Sequence, residues 1–369
     1  MSAVKLFATK LVNKSILRIR GPESFSYLQL FLTNDIRNLI GGEGGRKHCI
    51  YSHLLNTNGR TLVDLFVYKP FSEPVERSLT RNLVLAPFHI DTFATGGYET
   101  DELLLECPSS LAAALNRMLF AMKIRRKLTI ESYDMDIWSV YPANPVTRDD
   151  IDLEEVSSPD FVLGRDPRLR RLGYRILSRV PIETIADLSR MLSLGERELV
   201  QRSVLQYQSR LHSLGVGEGP DDHPHGFAYP IECNADILNG MSFMKGMHAG
   251  DWVCGRNVRY GISNRLLPVT LCNHEKDKGM VLPAGSSLLS PDGTHMGGIR
   301  SMSGKNGLAL LNWKRMTRER TGVWQLVHEM TGYRLETRIP AWWRQGVAGL
   351  PAGHARRFLV PEHLPHRLE

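Results

Sequence analysis

The chain has 369 residues and a formal net charge of +7, with 42% hydrophobic and 23% charged residues. This length exceeds what one hydrophobic core usually organises, so it predicts two or three structural units. The hydrophobic and charged fractions are those of an ordinary globular protein, and no apolar run approaches the roughly 18 residues of a membrane-spanning helix. The composition therefore indicates a soluble globular protein without a membrane span.

Basic side chains are concentrated in two places, at Arg125 to Lys127 and at Arg168 to Arg171. Such clusters could bind the phosphates of a nucleic acid. Neither cluster comes with an RNP, zinc-finger or helix-turn-helix pattern, and a solvated face or the rim of a pocket for an anionic small molecule is the better explanation. We therefore expect no nucleic-acid partner.

The five cysteines, Cys49, Cys107, Cys233, Cys254 and Cys272, are odd in number and have no C-x-x-C spacing. This pattern argues against a disulfide framework and for a reducing compartment. It gives equally little support to a closed four-cysteine metal site.

Asp221, Asp222, His223 and His225 form the one local group of metal-ligand residue types. Two histidines two residues apart around a proline, on a loop, lack the helix-face geometry of an H-E-x-x-H site. We expect no metal centre there, and we expect His212 to be an ordinary surface or interhelical histidine.

The first twenty residues carry five basic side chains, and the first acidic residue is Glu23. This charge bias is typical of a mitochondrial transit peptide. Ser15 to Arg20, however, alternates apolar and basic residues and already predicts a strand. Either a removed presequence is very short, or the chain begins near its mature end.

The first part of the chain predicts strands and helices in the proportions of an α+β layer, with helices over an antiparallel sheet. The clearest element is a hairpin formed by the strands His48–Leu55 and Arg60–Lys69, because the residues between them, Asn56 to Gly59, suit left-handed turn conformations. The predicted elements are a strand at Ser15–Arg20, a helix at Phe25–Leu32, strands at His48–Leu55, Arg60–Lys69 and Asn82–Phe88, a helix at Leu111–Met122, and strands at Leu128–Ile130 and Ile137–Val140.

Residues 143–162 are polar and contain proline, and they predict a loop or linker. A strand at Tyr174–Leu177 follows, and helices are predicted at Glu183–Leu192 and Glu196–Leu214. From Leu266 onward, short strands separated by glycine turns are typical of a small barrel or sandwich. These strands are Leu267–Leu271, Ser286–Leu289, Gly297–Ser301, Leu308–Asn312, Trp324–Met330 and Tyr333–Ile339.

The stretch from Phe227 to Pro268 carries most of the candidate chemistry. It is too aperiodic for a core helix and too rich in glycine for a strand. Its glycines permit positive φ or close backbone approach, which indicates a loop that closes over something. A loop of this length inside a globular chain is usually functional or disordered, and its apolar residues favour order.

This stretch resembles the signature of YgfZ-type tetrahydrofolate-binding iron–sulfur assembly factors, relatives of the GcvT (T-protein) aminomethyltransferases, and it is most similar to their mitochondrial branch. The family pattern is P-L-E-x-N, then L-N-G-V-S-F-x-K-G-C-Y-x-G-Q-E, then an arginine. The matching residues are Pro230, Glu232, Asn234, Leu238, Asn239, Gly240, Ser242, Phe243, Lys245, Gly246, Gly250 and Arg256. The family cysteine is replaced by Met247, its tyrosine by His248, and its Gln-Glu pair by Asp251 and Trp252.

Shorter motifs extend the resemblance over residues 6–345, among them R-G-P, T-N-D, D-P-R and the turn that holds Asn56, Gly59 and Arg60. The resemblance implies an aminomethyltransferase-like α+β fold, with two ferredoxin-like units around a central cavity and a C-terminal β-barrel. The implied domains are 1–142, 143–262 with the signature loop, and 263–347, followed by a tail at 348–369.

The resemblance also implies a tetrahydrofolate pocket in which a carboxylate accepts hydrogen bonds from the pterin edge. From the residues alone, Glu232 could instead be a surface glutamate and Arg60 a solvated turn residue. The implied folate-binding residues are Glu232, Asn234, Phe243, Lys245, Arg256 and Arg60. The implied signature loop contains Asn239, Gly240, Lys245, Gly246, Met247, His248, Gly250 and Asp251.

In the resembled family the cysteine after Lys-Gly is tied to cluster handling. A methionine thioether cannot be deprotonated and is a far weaker iron ligand, so Met247 cannot inherit that role. His248 and Cys254 remain as weak candidate metal ligands, and a buried inert cysteine is the simpler interpretation of Cys254.

The function implied is that of a mitochondrial matrix factor for the maturation of [4Fe–4S] proteins. It would be a folate-binding scaffold, monomeric alone, that docks A-type carrier proteins and shares a [2Fe–2S] cluster with such a partner. A turnover enzyme is not expected, because no Gly-x-Ser-x-Gly, Walker or Rossmann motif is present. The alternatives are a folate-dependent aminomethyl or methyl transferase and a degenerate folate-binding module without cluster chemistry.

Overall fold

The computed structural model describes residues 5–40, 47–70, 102–144, 152–158, 160–195, 197–243, 245, 262–272, 282–316 and 323–343. The predicted strand Asn82–Phe88 and the tail 348–369 lie outside these residues. The chain divides into two compact units, and each is described by itself. The first contains Met1–Leu54, Leu65–Val204 and Leu238–His248, and the second contains Leu55–Asp64, Leu205–Ile237 and Ala249–Glu369.

Strands outnumber helices in the described ranges, where no helix is long and apolar enough to cross a membrane. The strands are β1 (Lys5–Lys10), β2 (Lys14–Arg20), β3 (Cys49–Leu55), β4 (Thr61–Tyr68), β5 (Glu102–Pro108), β6 (Thr129–Tyr133), β7 (Asp136–Pro142), β8 (Val156–Ser157), β9 (Phe161–Arg165), β10 (Tyr174–Ser178), β11 (Glu198–Gln201), β12 (Asn264–Leu271), β13 (Ser287–Leu289), β14 (His295–Ser303), β15 (Asn306–Asn312), β16 (Val323–His328) and β17 (Arg334–Arg338). The α-helices are α1 (Ser24–Gln29), α2 (Ser109–Lys123), α3 (Ile185–Met191), α4 (Val204–Leu214) and α5 (Trp313–Met316), and short 3-10 helices span Ile36–Leu39 and Arg170–Leu172.

One sheet has the strand order β3-β4-β5-β2-β6 within the described part of the chain. Helix α2 packs against β2, β5 and β6 through Leu115 and Leu119. The sequence prediction missed β5. Leu103, Leu104 and Leu105 are all fully buried, and since successive side chains of a strand point to opposite faces of the sheet, both faces of β5 are covered. A strand buried on both faces lacks the alternation by which strands are recognised.

A second sheet has the order β11-β1-β7-β10-β9-β8 among the described strands. It joins strands from both sides of the predicted boundary between residues 142 and 143, because β7 pairs with both β1 and β10. The basic N-terminal segment contributes β1, whose Leu6 and Ala8 are fully buried. The charge bias of residues 5–20 therefore belongs to two folded strands.

The predicted helix Glu196–Leu214 is wrong in its first part. Glu198 to Gln201 form β11, which pairs in parallel with β1, and helix α4 begins only at Val204. Pairing with a sheet edge overrides local helix propensity here. The predicted helix Glu183–Leu192 is confirmed as α3, which begins after Thr184 with a capping box completed by Asp187.

The described C-terminal strands form a closed barrel in the order β12-β15-β14-β13-β16-β17, which confirms the predicted barrel. Buried and exposed residues alternate along β16 and β17. Gly297 has φ +144°, and a Cβ at this position would lie 2.0 Å from the carbonyl oxygen of Leu310. Only glycine therefore fits at this position of β14, which pairs with β15. The barrel core contains Leu267, Val269, Leu288, Met296, Ile299, Ala309, Leu311, Trp313, Trp324, Leu326 and Leu335.

Candidate functional site

The described residues of the signature stretch fall into two sets. Those from Phe227 to Ile237 and from Ile262 to Pro268 belong to the second unit, and those from Leu238 to Lys245 belong to the first. Several predicted site residues lie outside the described ranges, so their roles stay predictions. These residues are Gly246, Met247, His248, Gly250, Asp251, Cys254 and Arg256.

In the first unit, the T-N-D motif binds the signature loop through its side chains and backbone. The Thr33 hydroxyl donates to the carbonyl of Gly240 at 2.6 Å, and the Asn34 amide donates to the carbonyl of Asn239 at 2.7 Å. The amide of Ser242 donates to the carbonyl of Thr33 at 3.0 Å. Two motifs about two hundred residues apart in the chain are thus parts of one hydrogen-bonded assembly.

Asn239 connects this assembly to the D-P-R motif. Its backbone has φ +54°, a conformation that asparagine tolerates better than most residues. Its side-chain amide donates to the carbonyl of Pro167 at 3.0 Å. The T-N-D, D-P-R and L-N-G motifs therefore meet in the first unit, which explains in physical terms why they occur together.

Lys245 lies at the C-terminal end of α1. Its ammonium donates to the carbonyls of Gln29, at 2.5 Å, and Leu32. Carbonyls at a helix end lack intrahelical partners, and the helix dipole favours a cation there. Phe243, two residues earlier, is 37% exposed. In the described structure Lys245 anchors the loop, and Phe243 is its exposed aromatic.

A buried network of charged residues lies in the same unit. The Arg175 guanidinium donates to both carboxylate oxygens of Glu106, and the Tyr68 hydroxyl donates to Glu106 at 2.6 Å. Arg168 donates to both carboxylate oxygens of Asp166 at 3.0 and 2.8 Å. The ionic side chains of both pairs have no solvent exposure.

The two pairs are joined through a carboxylate and a ring. Arg175 also approaches Asp166 at 3.5 Å, and the guanidinium carbons of Arg168 and Arg175 lie 4.7 and 3.8 Å from the ring centroid of Phe66. Burial raises the pKa of Tyr68 well above its usual value, so its hydroxyl stays a donor. Sequence reasoning missed this network, although Asp166 and Arg168 were noted as a motif.

In the second unit, Glu232 is half-buried and held by neutral donors. Its carboxylate accepts hydrogen bonds from the backbone amide of Tyr229 at 3.0 Å and from the side-chain amide of Asn264 at 3.1 Å. None of the ion pairs among the described residues involves it. A carboxylate has about four acceptor positions, so this one is fixed in place with acceptor capacity to spare.

Asn234 and Arg265 fix the turn that follows Glu232. Asn234 has φ +64° and is fully buried, and its amide donates to the carbonyl of Leu266 at 2.6 Å. Arg265 donates to both carboxylate oxygens of Asp236 at 2.6 and 2.7 Å, and to the carbonyl of Ile231 at 2.7 Å. The contacts of Asn234 therefore position the loop from within.

Arg60 comes from the tip of the β3–β4 hairpin. Its backbone amide donates to the side chain of Asn56 at 2.9 Å, as expected for the predicted turn. Its guanidinium donates to the carbonyl of Phe227 and lies 4.6 Å from the ring centroid of Tyr229. Arg60 thus holds the segment that precedes Glu232, and in this structure it is not a solvated turn residue.

Arg300, on β14, is a second arginine close to this segment. Its guanidinium carbon lies 4.0 Å from the ring centroid of Phe227. Burial lowers the pKa of Arg300, and its electrostatic interactions with Cys233 and Glu232 oppose that shift. Sequence reasoning did not single out Arg300, because no motif marks this position in the barrel.

His212, Asp222 and Ser301 form a buried group that resembles a catalytic triad only in composition. The Ser301 hydroxyl donates to Asp222, and His212 Nε2 lies 3.2 Å from both the hydroxyl and the carboxylate. In a triad the acid and the nucleophile contact opposite ring nitrogens. Here both contact the same one, so the group is a structural connection between α4 and the barrel.

His223 is buried beside Cys233, Asp64 and Asp222. Burial by itself lowers the pKa of His223, but the contact with Cys233 and the negative charges of the two aspartates raise it to about 10. No group of three His, Cys, Asp or Glu residues that could hold a metal ion is found among the described residues.

The described cysteines are poorly suited to bind iron by themselves. Cys49, Cys107 and Cys233 are buried, and Cys272 is partly exposed. Burial raises the pKa of Cys49 well above its usual value and also raises that of Cys272. Because the thiolate is the form that binds metals, burial works against these two side chains as ligands.

The chain is similar to named proteins along most of its length. Residues 264–345 match the family described as CAF17, C-terminal beta-barrel domain. The iron–sulfur cluster assembly factor IBA57, mitochondrial, of Homo sapiens is 29% identical over 90% of this chain and 84% of the human protein. Its Mus musculus counterpart is 32% identical over 82% of this chain and 76% of the mouse protein.

A solved structure supports the fold. The glycine cleavage system aminomethyltransferase T from Bartonella henselae matches with a TM-score of 0.62, covering 92% of this chain and 86% of that protein at 14% sequence identity. At this identity the match concerns the fold alone. The predicted aminomethyltransferase-like α+β fold with a C-terminal barrel is therefore confirmed.

Proposed function

Because this chain belongs to the IBA57 family of mitochondrial iron–sulfur cluster assembly factors, we propose that it supports the maturation of [4Fe–4S] proteins in the mitochondrial matrix as a scaffold that binds tetrahydrofolate and docks A-type carrier proteins. The family resemblance drawn from the signature stretch is confirmed. The maturation of [4Fe–4S] proteins in particular, folate binding, carrier docking and the matrix location are the parts that we propose.

The geometry of Glu232 is the observation that carries the folate proposal. Two neutral donors fix its carboxylate, and no described cation forms an ion pair with it. A pterin ring presents adjacent N–H groups, and a carboxylate of this kind can accept two of them. Because the acceptor is already oriented, little ordering is needed on binding.

The iron–sulfur cluster is cargo in this proposal. Burial disfavours the thiolates of Cys49 and Cys272, and the signature loop has Met247 where the resembled family has cysteine. Partner cysteines would therefore supply most ligands of a shared [2Fe–2S] cluster, with His248 and Cys254 as candidate additional donors. The isolated protein, a monomer in this proposal, should not retain a cluster.

Titration calorimetry with tetrahydrofolate tests the folate part. We expect saturable binding by the wild type and at least about tenfold weaker binding by Glu232→Gln, because loss of a charge-assisted bidentate contact costs more than about 1.4 kcal/mol. Glu336→Gln, an exposed carboxylate change on β17, is the matched control. No heat with the wild type would remove the folate proposal.

The cluster part is tested on the complex. We expect anaerobic visible spectra of the protein mixed with a cluster-loaded A-type carrier to differ from those of the carrier alone. Cys254→Ser should abolish the new bands if that thiol is a ligand, and His248→Ala should do so if the imidazole is. If both variants leave the bands and the affinity for the carrier unchanged, direct ligation by the loop is excluded.

The transferase alternative rests on the fold likeness alone. We expect incubation with tetrahydrofolate and a glycine-derived aminomethyl donor to give no methylenetetrahydrofolate above background. Steady turnover would make the transferase function the better account.

A further inference from the structure

The outer face of helix α2, in the first unit, exposes apolar side chains. Leu115 and Leu119 are buried on the inner face. On the outer face Phe120 is 63% exposed, and Ile124, just after the helix, is 84% exposed. Large apolar side chains of this exposure gain nothing from the protein core.

The backbone at Ile124 strengthens this observation. The amide of Arg126 donates to the carbonyl of Lys123 at 3.1 Å, which closes a tight turn. Ile124 occupies the first central position with φ +52° and ψ −110°, the conformation of a type II′ turn, where glycine is strongly preferred. A β-branched residue in this conformation is strained. An exposed and strained isoleucine points to a use outside the folding of this chain.

The same place is strongly cationic. Between Ser109 and Ile130 the sequence contains five basic residues and no acidic one. Arg117, Arg125 and Lys127 are exposed. The Lys123 ammonium lies 5.7 Å from the ring centroid of Phe120, so a positive charge lies beside the exposed aromatic. Arg125 and Lys127 of the cationic cluster, which the signature stretch leaves unexplained, belong to this surface, while Arg126 pairs with Glu23 at 3.5 Å.

We propose that this surface, the α2 tip, binds the face of an anionic phospholipid bilayer. The α2 tip consists of Arg117, Phe120, Lys123, Ile124, Arg125 and Lys127. Exposed Phe and Ile surrounded by Lys and Arg match an interfacial site, because the apolar groups enter the boundary between headgroups and acyl chains while the cations contact lipid phosphates. A nucleic acid would use the cations but not the isoleucine.

Vesicle co-sedimentation tests the proposal. We expect the full-length protein to bind vesicles of phosphatidylcholine mixed with phosphatidylglycerol, to bind phosphatidylcholine vesicles poorly, and to dissociate as salt is raised. The double variant Arg125→Glu and Lys127→Glu should lower the partition coefficient at least about tenfold, since each cation near an anionic surface contributes roughly 1 kcal/mol.

The double variant Arg334→Glu and Arg338→Glu is the matched control. It changes the net charge by the same amount at two exposed positions on β17, and it should bind nearly as well as the wild type. An equal loss in the control would mean that net charge alone drives the binding, and would overturn the assignment to the α2 tip.

Ile124→Gly separates binding from folding. Glycine relieves the positive φ, so the melting temperature should be unchanged or higher while vesicle binding falls. Wild-type binding by both Ile124→Gly and Phe120→Ser would contradict the insertion of these side chains.

A soluble polyanion tests the kind of partner. If soluble polyglutamate is bound and anionic vesicles are not, the surface is a docking site for an acidic protein and the lipid proposal is wrong. The vesicle and polyglutamate experiments are independent of the folate titration, because the α2 tip lies in the first unit and Glu232 lies in the second.

Discussion

Glu106 in the first unit and Glu232 in the second are both glutamates held by hydrogen bonds, but their surroundings differ in kind. Glu106 is fully buried, and Arg175 neutralises its charge. Glu232 is half-buried and receives only neutral donors among the described residues. A fully buried carboxylate that is paired with an arginine serves the fold, whereas a half-buried one that has no ion pair among the described residues and retains spare acceptor positions suits a ligand.

Breaking the buried network of charged residues in the first unit should have the largest effect on the stability of the protein. Arg175→Met leaves Glu106 and Asp166 buried with less compensation, and we expect the free energy of unfolding to fall by about 3–5 kcal/mol. Chemical denaturation measures this. Arg18→Met, which removes a partly exposed pair with Glu131, should cost less than about 1 kcal/mol. Similar costs for the two variants would contradict the structural role of the network.

The second unit should show a pH dependence that originates at His223. Its folded-state pKa of about 10 lies above the unfolded value of 6.5, so the native state binds the proton more tightly. The resulting stabilisation is complete below about pH 6.5 and is lost as the pH rises through about 10. Because one pKa unit corresponds to about 1.4 kcal/mol, we expect a loss on the order of 3 kcal/mol between about pH 6.5 and about pH 9, measured by denaturation at several pH values. His223→Gln should flatten the profile, and an unchanged slope in that variant would assign the effect to other groups.

In the second unit, Asn234 positions the turn that follows Glu232, whereas Glu232 is the residue proposed to bind the ligand. Asn234→Ala removes the buried bond to the carbonyl of Leu266 and places alanine at positive φ, so we expect a cost of about 2–3 kcal/mol. Asn234→Gly should recover about 1 kcal/mol of it, because glycine adopts that φ without strain. Equal melting temperatures for the two variants would mean that the backbone conformation contributes nothing.

Substitution of Lys245 should have the smallest of these effects on stability. Lys245→Met removes the donor to the carbonyls at the end of α1, and we expect a loss of about 1 kcal/mol. Lys5→Met, at an exposed pair with Glu198, is the control and should change stability little. A wild-type melting temperature for Lys245→Met would show that solvent satisfies these carbonyls equally well.

The sequence predicted those parts of the fold that have a local signal. The barrel strands alternate buried and exposed residues between glycine turns, and the β3–β4 hairpin has an asparagine and glycine turn, so both were recognised. Strand β5 was missed because it is apolar on both faces. Strand β11 was missed because its pairing partner, β1, lies about two hundred residues earlier in the chain.

For the candidate site, the sequence predicted which residues belong to the signature motif but not which contacts they make. The signature motif marked Glu232, Asn239 and Lys245, because these residues follow one another in a recognisable order. Their actual contacts could not be predicted, since Asn239 binds a D-P-R carbonyl and Lys245 binds carbonyls at the end of α1. The pair of Glu106 and Arg175 has no motif at all, because it forms only when β5 and β10 are both folded.

The central claim is that the Glu232 carboxylate itself accepts hydrogen bonds from a reduced folate. Isotope-edited infrared spectroscopy of protein with carbon-13 in its glutamate carboxylates tests this most directly, with Glu232→Gln used to assign the band. We predict that the carboxylate stretching band of Glu232 shifts on addition of tetrahydrofolate, while the glutamates common to both proteins give no difference signal. Saturable folate binding that leaves the Glu232 band unchanged would contradict the account.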